Sequence, residues 1–322
     1  MSSMTKLRTV GIGVLVVAFG MLGAGAPAVA DSGGALPDEL ASITAVSSTG
    51  EETLPDFSRS AEGSPDGFEG TGDLADAGTE LDFAVPQTVA DPTLDPDYVD
   101  PSASRSVIGP DGRVQVAPTG MNAKGTYLEV MNANSAIVSV CTGFLVASNY
   151  LLTAGHCVHP GGTGSTASFY PYIDVFPAYG GGSGLRCYNV ASYTSSGWIN
   201  SSLWEGDWGI IKLSCSAGST YGYFGLNTTS ASPGSTVTIF GYPTDKPHGT
   251  VWQGSQIIST VKPGLLGHIV DTATGQSGSP MLITSTAVVG IHTQGLQAVY
   301  PGENLGVRIT AGLKSTINGI IF

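Results

Sequence analysis

From Ser106 to its end, the chain repeats one pattern: short apolar or β-branched runs broken by Gly, Pro, Asn and Ser. "AIVSVCTGFLV", "YLLTAGHCV", "WGIIKLSC", "STVTIFGYP", "GTVWQGSQII" and "SPMLITSTAVVGIHT" are the clearest runs. Most are brief, and several alternate large apolar with small or polar residues. Many evenly spaced strands joined by Gly-rich turns indicate an all-β sandwich or barrel. The 46 glycines and the 11% of charged residues in 322 suit an exported β protein better than a helical cytosolic one. Only the tail, "TAGLKSTINGIIF", reads as helical, and regions 160–185 and 294–304 read as loops.

The first thirty residues stand apart. Lys6 and Arg8 precede the apolar run "VGIGVLVVAFGMLGAG", and "AVA" at 28–30 offers small residues for cleavage. This is a secretory signal peptide rather than a retained membrane helix, because no stop-transfer pattern follows. Residues 31–105 then carry 17 Asp and Glu against Arg59 and Arg105, whereas residues 106–322 carry 8 acids and 8 Lys or Arg. The net charge of −13 therefore belongs to one segment. The remainder has no basic stripe, which argues against nucleic-acid binding. Alone, the acidic segment cannot bury enough apolar surface to offset its chain entropy. It reads as an acidic linker or, more sharply, as a propeptide, because the character changes abruptly at "SRSVIGPDGRVQV".

Cys141, Cys157, Cys187 and Cys215 make an even count in an exported chain, which suggests two disulfides. Sequence alone permits three pairings. None of the spacings resembles a paired Cys-x-x-Cys knuckle, so no metal site and no cofactor are expected.

Three motifs carry chemistry: His156 in "LLTAGHCV", Asp207 in "EGDWGIIKL" and Ser277 in "GQSGSP". Singly, each has an ordinary structural explanation. Together they fall in the order His, Asp, Ser. A serine hydroxyl needs an adjacent base to attack at neutral pH. His156 would take its proton and return it to the leaving amine, while Asp207 would fix the tautomer and stabilise the imidazolium. The backbone N–H groups of Gly275 and Ser277 would bind the oxyanion, and losing such a donor generally costs about 3–4 kcal/mol of barrier. The α/β-hydrolase order, Ser before acid before His, is reversed here.

These motifs resemble the chymotrypsin-fold serine proteases, and more closely their bacterial glutamyl endopeptidase branch. "SVIGPDGRVQV" resembles the mature start of that branch, "GQSGSP" ends in its Ser-Pro, "VVGIHTQG" places His292 at its pocket histidine, and "NLGVRIT" resembles its closing strand. The resemblance spans 106–322. It implies two six-stranded antiparallel β-barrels, roughly 106–215 and 216–322, with a C-terminal helix and the site between the barrels. It implies that Cys141 pairs with Cys157, which leaves Cys187 for Cys215. It also implies that Thr272 and His292 line a pocket for a substrate glutamate.

Two residues bear on the comparison with the trypsin-like enzymes, in opposite directions. Gln276 stands where those enzymes carry the acid that pairs with the new N-terminal amine, so the amine of Ser106 is free for another task, and the resemblance to the glutamyl endopeptidases implies that it approaches the pocket. Asp271 lies six residues before Ser277, the offset at which a pocket Asp selects Arg or Lys, so an Arg/Lys-specific protease is the competing reading. Cleavage after Arg105 would free Ser106; a Glu-specific enzyme would then need another protease to activate it. A catalytically silent protease-like binding or toxin module is the alternative from another class. The expected product is a secreted monomer acting on proteins or peptides, without membrane attachment once the signal is removed.

Overall fold

The computed structural model describes residues 37–56, 67–72, 105–182 and 184–322. The expected signal peptide and residues 73–104 lie outside them. In chain order, α1 (Asp38–Ile43), β1 (Ala45–Ser47) and β2 (Glu52–Thr53) precede β3 (Arg105–Ser106) and β4 (Val114–Val116). Then come β5 (Gly125–Met131), β6 (Ile137–Ala147), β7 (Tyr150–Thr153), β8 (Tyr172–Pro177), β9 (Cys187–Ser195), α2 (Ser196–Ser201) and β10 (Gly209–Leu213). After α3 (Ala217–Tyr221) and β11 (Gly225–Leu226) follow β12 (Thr236–Gly241), β13 (Val251–Val261), β14 (Leu265–His268) and β15 (Thr272–Ala273). The chain ends with β16 (Pro280–Leu282), β17 (Ala287–Gln294), β18 (Asn304–Arg308) and α4 (Ala311–Ile321).

Two closed six-stranded antiparallel barrels result. The first runs β10-β7-β6-β5-β8-β9 and closes by pairing β9 with β10; the second runs β17-β16-β12-β13-β14-β18 and closes by pairing β17 with β18. Closure leaves both faces of many strands buried, so the runs read as continuously apolar rather than alternating. Successive residues then feed different cores. Leu145, Leu151 and Ile211 fill the first barrel, while Phe144, Leu152 and Ile210 join a cluster with Phe240, Leu282 and Ile291 of the second. Val237, Ile239, Leu266 and Met281 fill the second barrel. Disulfides join Cys141 to Cys157 and Cys187 to Cys215 within the first barrel.

Three short helices besides the tail were not legible as helices, namely α1, α2 and α3. Each has only five or six residues, too few for a periodic signature. Within 160–185, read as a loop, "YIDVFP" forms β8 and pairs with β5 from Thr126↔Pro177 to Met131↔Tyr172. The tail helix α4 starts at Thr310, whose side chain accepts from Leu313 N–H. Parts of the acidic segment are also seated on the barrels. β1 extends the first sheet by pairing with β9, and Phe68 bridges Tyr223. This segment lacks a core of its own, so its order is borrowed from an edge that the barrel supplies.

Candidate active site

Both barrels contribute to one cleft of about 350 Å³, whose lining includes Ser106, His156, Thr272, Ser277, His292 and Gln294. His156 sits in a short turn, Gly155–Cys157, just beyond β7. A side chain at Gly155 would lie 3.0 Å from the Asp207 carboxylate, so glycine is what lets this turn close on the acid. Asp207 is fully buried. Its Oδ2 lies 2.9 Å from His156 Nδ1, and its Oδ1 accepts from His156 N–H at 2.8 Å. Gln294 Nε2 donates to the same Oδ2 at 3.1 Å. Burial pulls the His156 pKa down, but the Asp207 charge and hydrogen bond more than offset this and leave it raised.

Ser277 lies on the turn between β15 and β16. Gly275 opens this turn at φ +92°, and a Cβ there would lie 2.3 Å from the Tyr242 carbonyl, so no other residue fits. The Thr274 carbonyl accepts from Thr244 N–H at 2.8 Å, and the Gln276 carbonyl accepts from Ser279 N–H at 3.0 Å. Across a trans peptide the N–H points opposite to the carbonyl, so these bonds aim Gly275 N–H and Ser277 N–H away from those partners. Thr142 Oγ donates to the Gly275 carbonyl at 2.8 Å and fixes the turn from the first barrel.

The Gln276 side chain is buried and braced. Its Oε1 accepts from Ala273 N–H at 3.1 Å and from Arg113 Nη1 at 3.1 Å. Arg113 in turn donates to Asp245 Oδ1 at 3.0 Å and to Asp245 Oδ2 at 2.6 Å, and it also donates to Asp111. Sequence reading missed Arg113, Asp245, Thr142 and Gln294. Arg113 lies in the quoted "GPDGRVQV", but nothing local says that it reaches a residue 163 positions away.

His292 is buried behind the cleft, and its Nδ1 lies 3.1 Å from His268 Nε2. Burial, reinforced by the neighbouring His156 charge, pushes the His292 pKa down to about 4, against the pull of the Leu305 carbonyl and Asp207. Burial and the neighbouring His292 hold His268 well below the ordinary histidine value. Both rings are therefore neutral at neutral pH. Thr272 is buried, and in β15 it pairs with Ser106 while Ala273 pairs with Arg105. The uncut chain thus passes directly beside the nucleophile turn.

Asp271 does not occupy the pocket floor. Its Oδ1 accepts from Ile108 N–H at 2.7 Å and its Oδ2 accepts from Gly112 N–H at 2.8 Å. These bonds anchor the loop that follows Ser106 and satisfy the carboxylate, so the competing Arg/Lys reading loses the residue on which it stood.

A family model described as Trypsin matches residues 122–311. A glutamyl endopeptidase of Bacillus licheniformis is 37% identical over 226 residues, covering 65% of this chain and 67% of that protein. A Bacillus subtilis protein named extracellular metalloprotease is 33% identical over 233 residues, covering 66% of this chain and 68% of that one. A solved structure of a Glu endopeptidase superposes with a TM-score of 0.58 at 30% identity, covering 66% of this chain and 98% of the other. The second name raises the question of a metal. Cys141, His156 and Cys157 do cluster closely enough to hold an ion. However, the two sulfurs are bonded to each other and His156 Nδ1 is engaged by Asp207, so this donor set does not suit one.

Proposed function

Because the chain belongs to the trypsin family and is a serine endopeptidase, we propose that it is a secreted enzyme that cuts after Glu, made as a precursor and activated by cleavage after Arg105. The carrying observation is the pocket: buried Thr272 and His292 beside Ser277, with Asp271 turned away to two backbone N–H groups. The sequence similarity to a protein named glutamyl endopeptidase points the same way.

In this mechanism Ser277 Oγ attacks the scissile carbonyl while His156 takes its proton, and Asp207 holds the ring and stabilises the imidazolium. The N–H groups of Gly275 and Ser277 receive the oxyanion. His156 then protonates the leaving amine, and water completes hydrolysis of the acyl-enzyme by the same proton route. Gln294 steadies Asp207 from the second barrel.

A substrate carboxylate buried here needs donors and a counter-charge. Thr272 and neutral His292 are the donors. Among the described residues lining the cleft there is no Lys or Arg. The cation is therefore the amine of Ser106, released where Ser106 already lies, with its carbonyl held by Asn304 Nδ2 at 3.0 Å. An enzyme selective for Glu does not cut after Arg105, so a second protease performs activation. The disulfides and the N-terminal apolar run fit export into an oxidising compartment.

Matched peptides that end in Glu, Asp, Gln, Arg or Lys at the cleavage position test this reading. Glu should exceed Arg and Lys by roughly 10²-fold or more in kcat/KM; a preference for Arg or Lys would overturn the assignment of His292. The pH profile offers a second check. Catalysis requires neutral His156, whose pKa is raised from 6.5. Activity should therefore be full at alkaline pH and be lost as pH falls through a value above 6.5. An acid limb centred clearly below that value would show that the Asp207 pairing does not govern the base.

A further inference from the structure

We propose that residues 37–56 and 67–72 are not discarded on activation but stay bound to residues 106–322 as a non-covalent light chain that supports the Asp207 turn. The proposal rests on the reading that the chain is cut after Arg105.

The first contact is strand addition. β1 pairs with β9 at Ala45↔Ser195, Val46↔Thr194 and Ser47↔Tyr193, where β8 has already ended, and so covers an edge that the barrel leaves open. Around it, Ser196 N–H donates to the Thr44 carbonyl at 2.9 Å and Thr316 Oγ donates to the Ile43 carbonyl at 2.6 Å. Ala45 and Val46 are buried. The other edge of β9 carries β10, which follows Asp207. Thr194 Oγ donates to the Trp208 carbonyl, and Ser195 Oγ donates to the Gly206 carbonyl, one on each side of Asp207.

The second contact is a backbone clasp. Phe68 and Tyr223 exchange two hydrogen bonds of 2.8 and 2.7 Å, and Thr71 N–H and Gly72 N–H donate to the Ser219 and Thr220 carbonyls. The backbones approach so closely that a Cβ on Gly70 would lie 2.3 Å from the Thr220 carbonyl oxygen.

Two buried groups of the protease domain depend on these contacts. Trp208, directly after Asp207, is fully buried, and its indole N–H donates to the Ser42 carbonyl at 2.7 Å. Lys124 is also fully buried; its ammonium pairs with Glu69 at 2.9 Å and lies 5.2 Å from the Phe224 ring centroid. Departure of residues 37–56 and 67–72 would remove both of these partners. The light chain is thus built into the fold and supplies partners that the protease domain lacks.

The test uses the full chain with residues 101–104 replaced so that, with Arg105, they form the recognition sequence of a sequence-specific protease that cuts directly after Arg105. After native cutting and size-exclusion chromatography, mass spectrometry follows the pieces. Peptides covering 37–56 and 67–72 should co-elute with 106–322 in one-to-one ratio. The double variant Val46→Asp/Gly70→Val should weaken that retention by at least about tenfold. Separation of wild-type peptides from a protease domain that keeps its far-ultraviolet circular dichroism would overturn the proposal. Cleavage after Arg105 is scored separately by glutamyl-peptide activity. Activity gained without co-elution defeats the light chain and leaves the activation reading intact; co-elution without activity gain does the reverse.

Discussion

Replacing Ser277 by Ala should lower kcat on a glutamyl peptide by roughly 10⁶-fold and abolish labelling of the mature protein by a fluorophosphonate. The size of the effect follows from the coupling of the three groups. Once Ser277 Oγ is gone, neither the His156 base nor the Asp207 carboxylate, 2.9 Å from Nδ1, has a nucleophile to serve. Adding His156→Ala to Ser277→Ala should therefore change little further. KM should stay within a few-fold, because the hydroxyl is not what binds the substrate. Retention of more than about a hundredth of wild-type activity would mean that another group carries the acyl intermediate. A silent binding module would show no labelling at all in correctly processed wild-type protein.

The largest stability effect is expected at Arg113. Its guanidinium is buried and paired with Asp245, whose side chain is 1% exposed. Arg113→Met removes the buried cation that faces that carboxylate and should cost about 3–5 kcal/mol, or on the order of 10 °C in Tm for a domain of this size. The same change removes a donor from Gln276 Oε1 and loosens the turn that carries Ser277. These two consequences can be separated. Arg113→Met/Asp245→Leu removes both charges of the pair and should recover most of the lost stability, while kcat stays about tenfold low with KM little changed. Recovery of kcat together with Tm would reduce Arg113 to a purely structural ion-pair partner.

The three motifs that the structure brings together were legible because each is short and self-contained. His156, Asp207 and Ser277 announce themselves within a few residues, and their order along the chain carries the chemistry. Asp271 was misleading for the opposite reason. An offset from the nucleophile says nothing about which way a side chain turns, and its partners, Ile108 and Gly112, lie 163 and 159 positions away. Arg113 and Gln294 were invisible on the same account. "YIDVFP" lies inside the region 160–185 that reads as a loop, and its strand character depends on β5. The acidic segment misled through composition. Its mean character forbids an independent core, yet residues 45–47 need only an open strand edge, which belongs to another part of the chain.

The brace around Gln276 also bears on how such an enzyme is kept safe before maturation. Arg113, Thr142 and Thr244 already hold the nucleophile turn in the uncut chain. On the proposed activation, maturation does not assemble a machine; it installs a lock that fits one key. Until the Ser106 amine is free, such a precursor would be restrained by charge balance, since a glutamate entering the pocket would meet no counter-ion. Protection of this kind would be selective by nature: it would shield carboxylate-bearing targets, the ones that an enzyme cutting after Glu would harm.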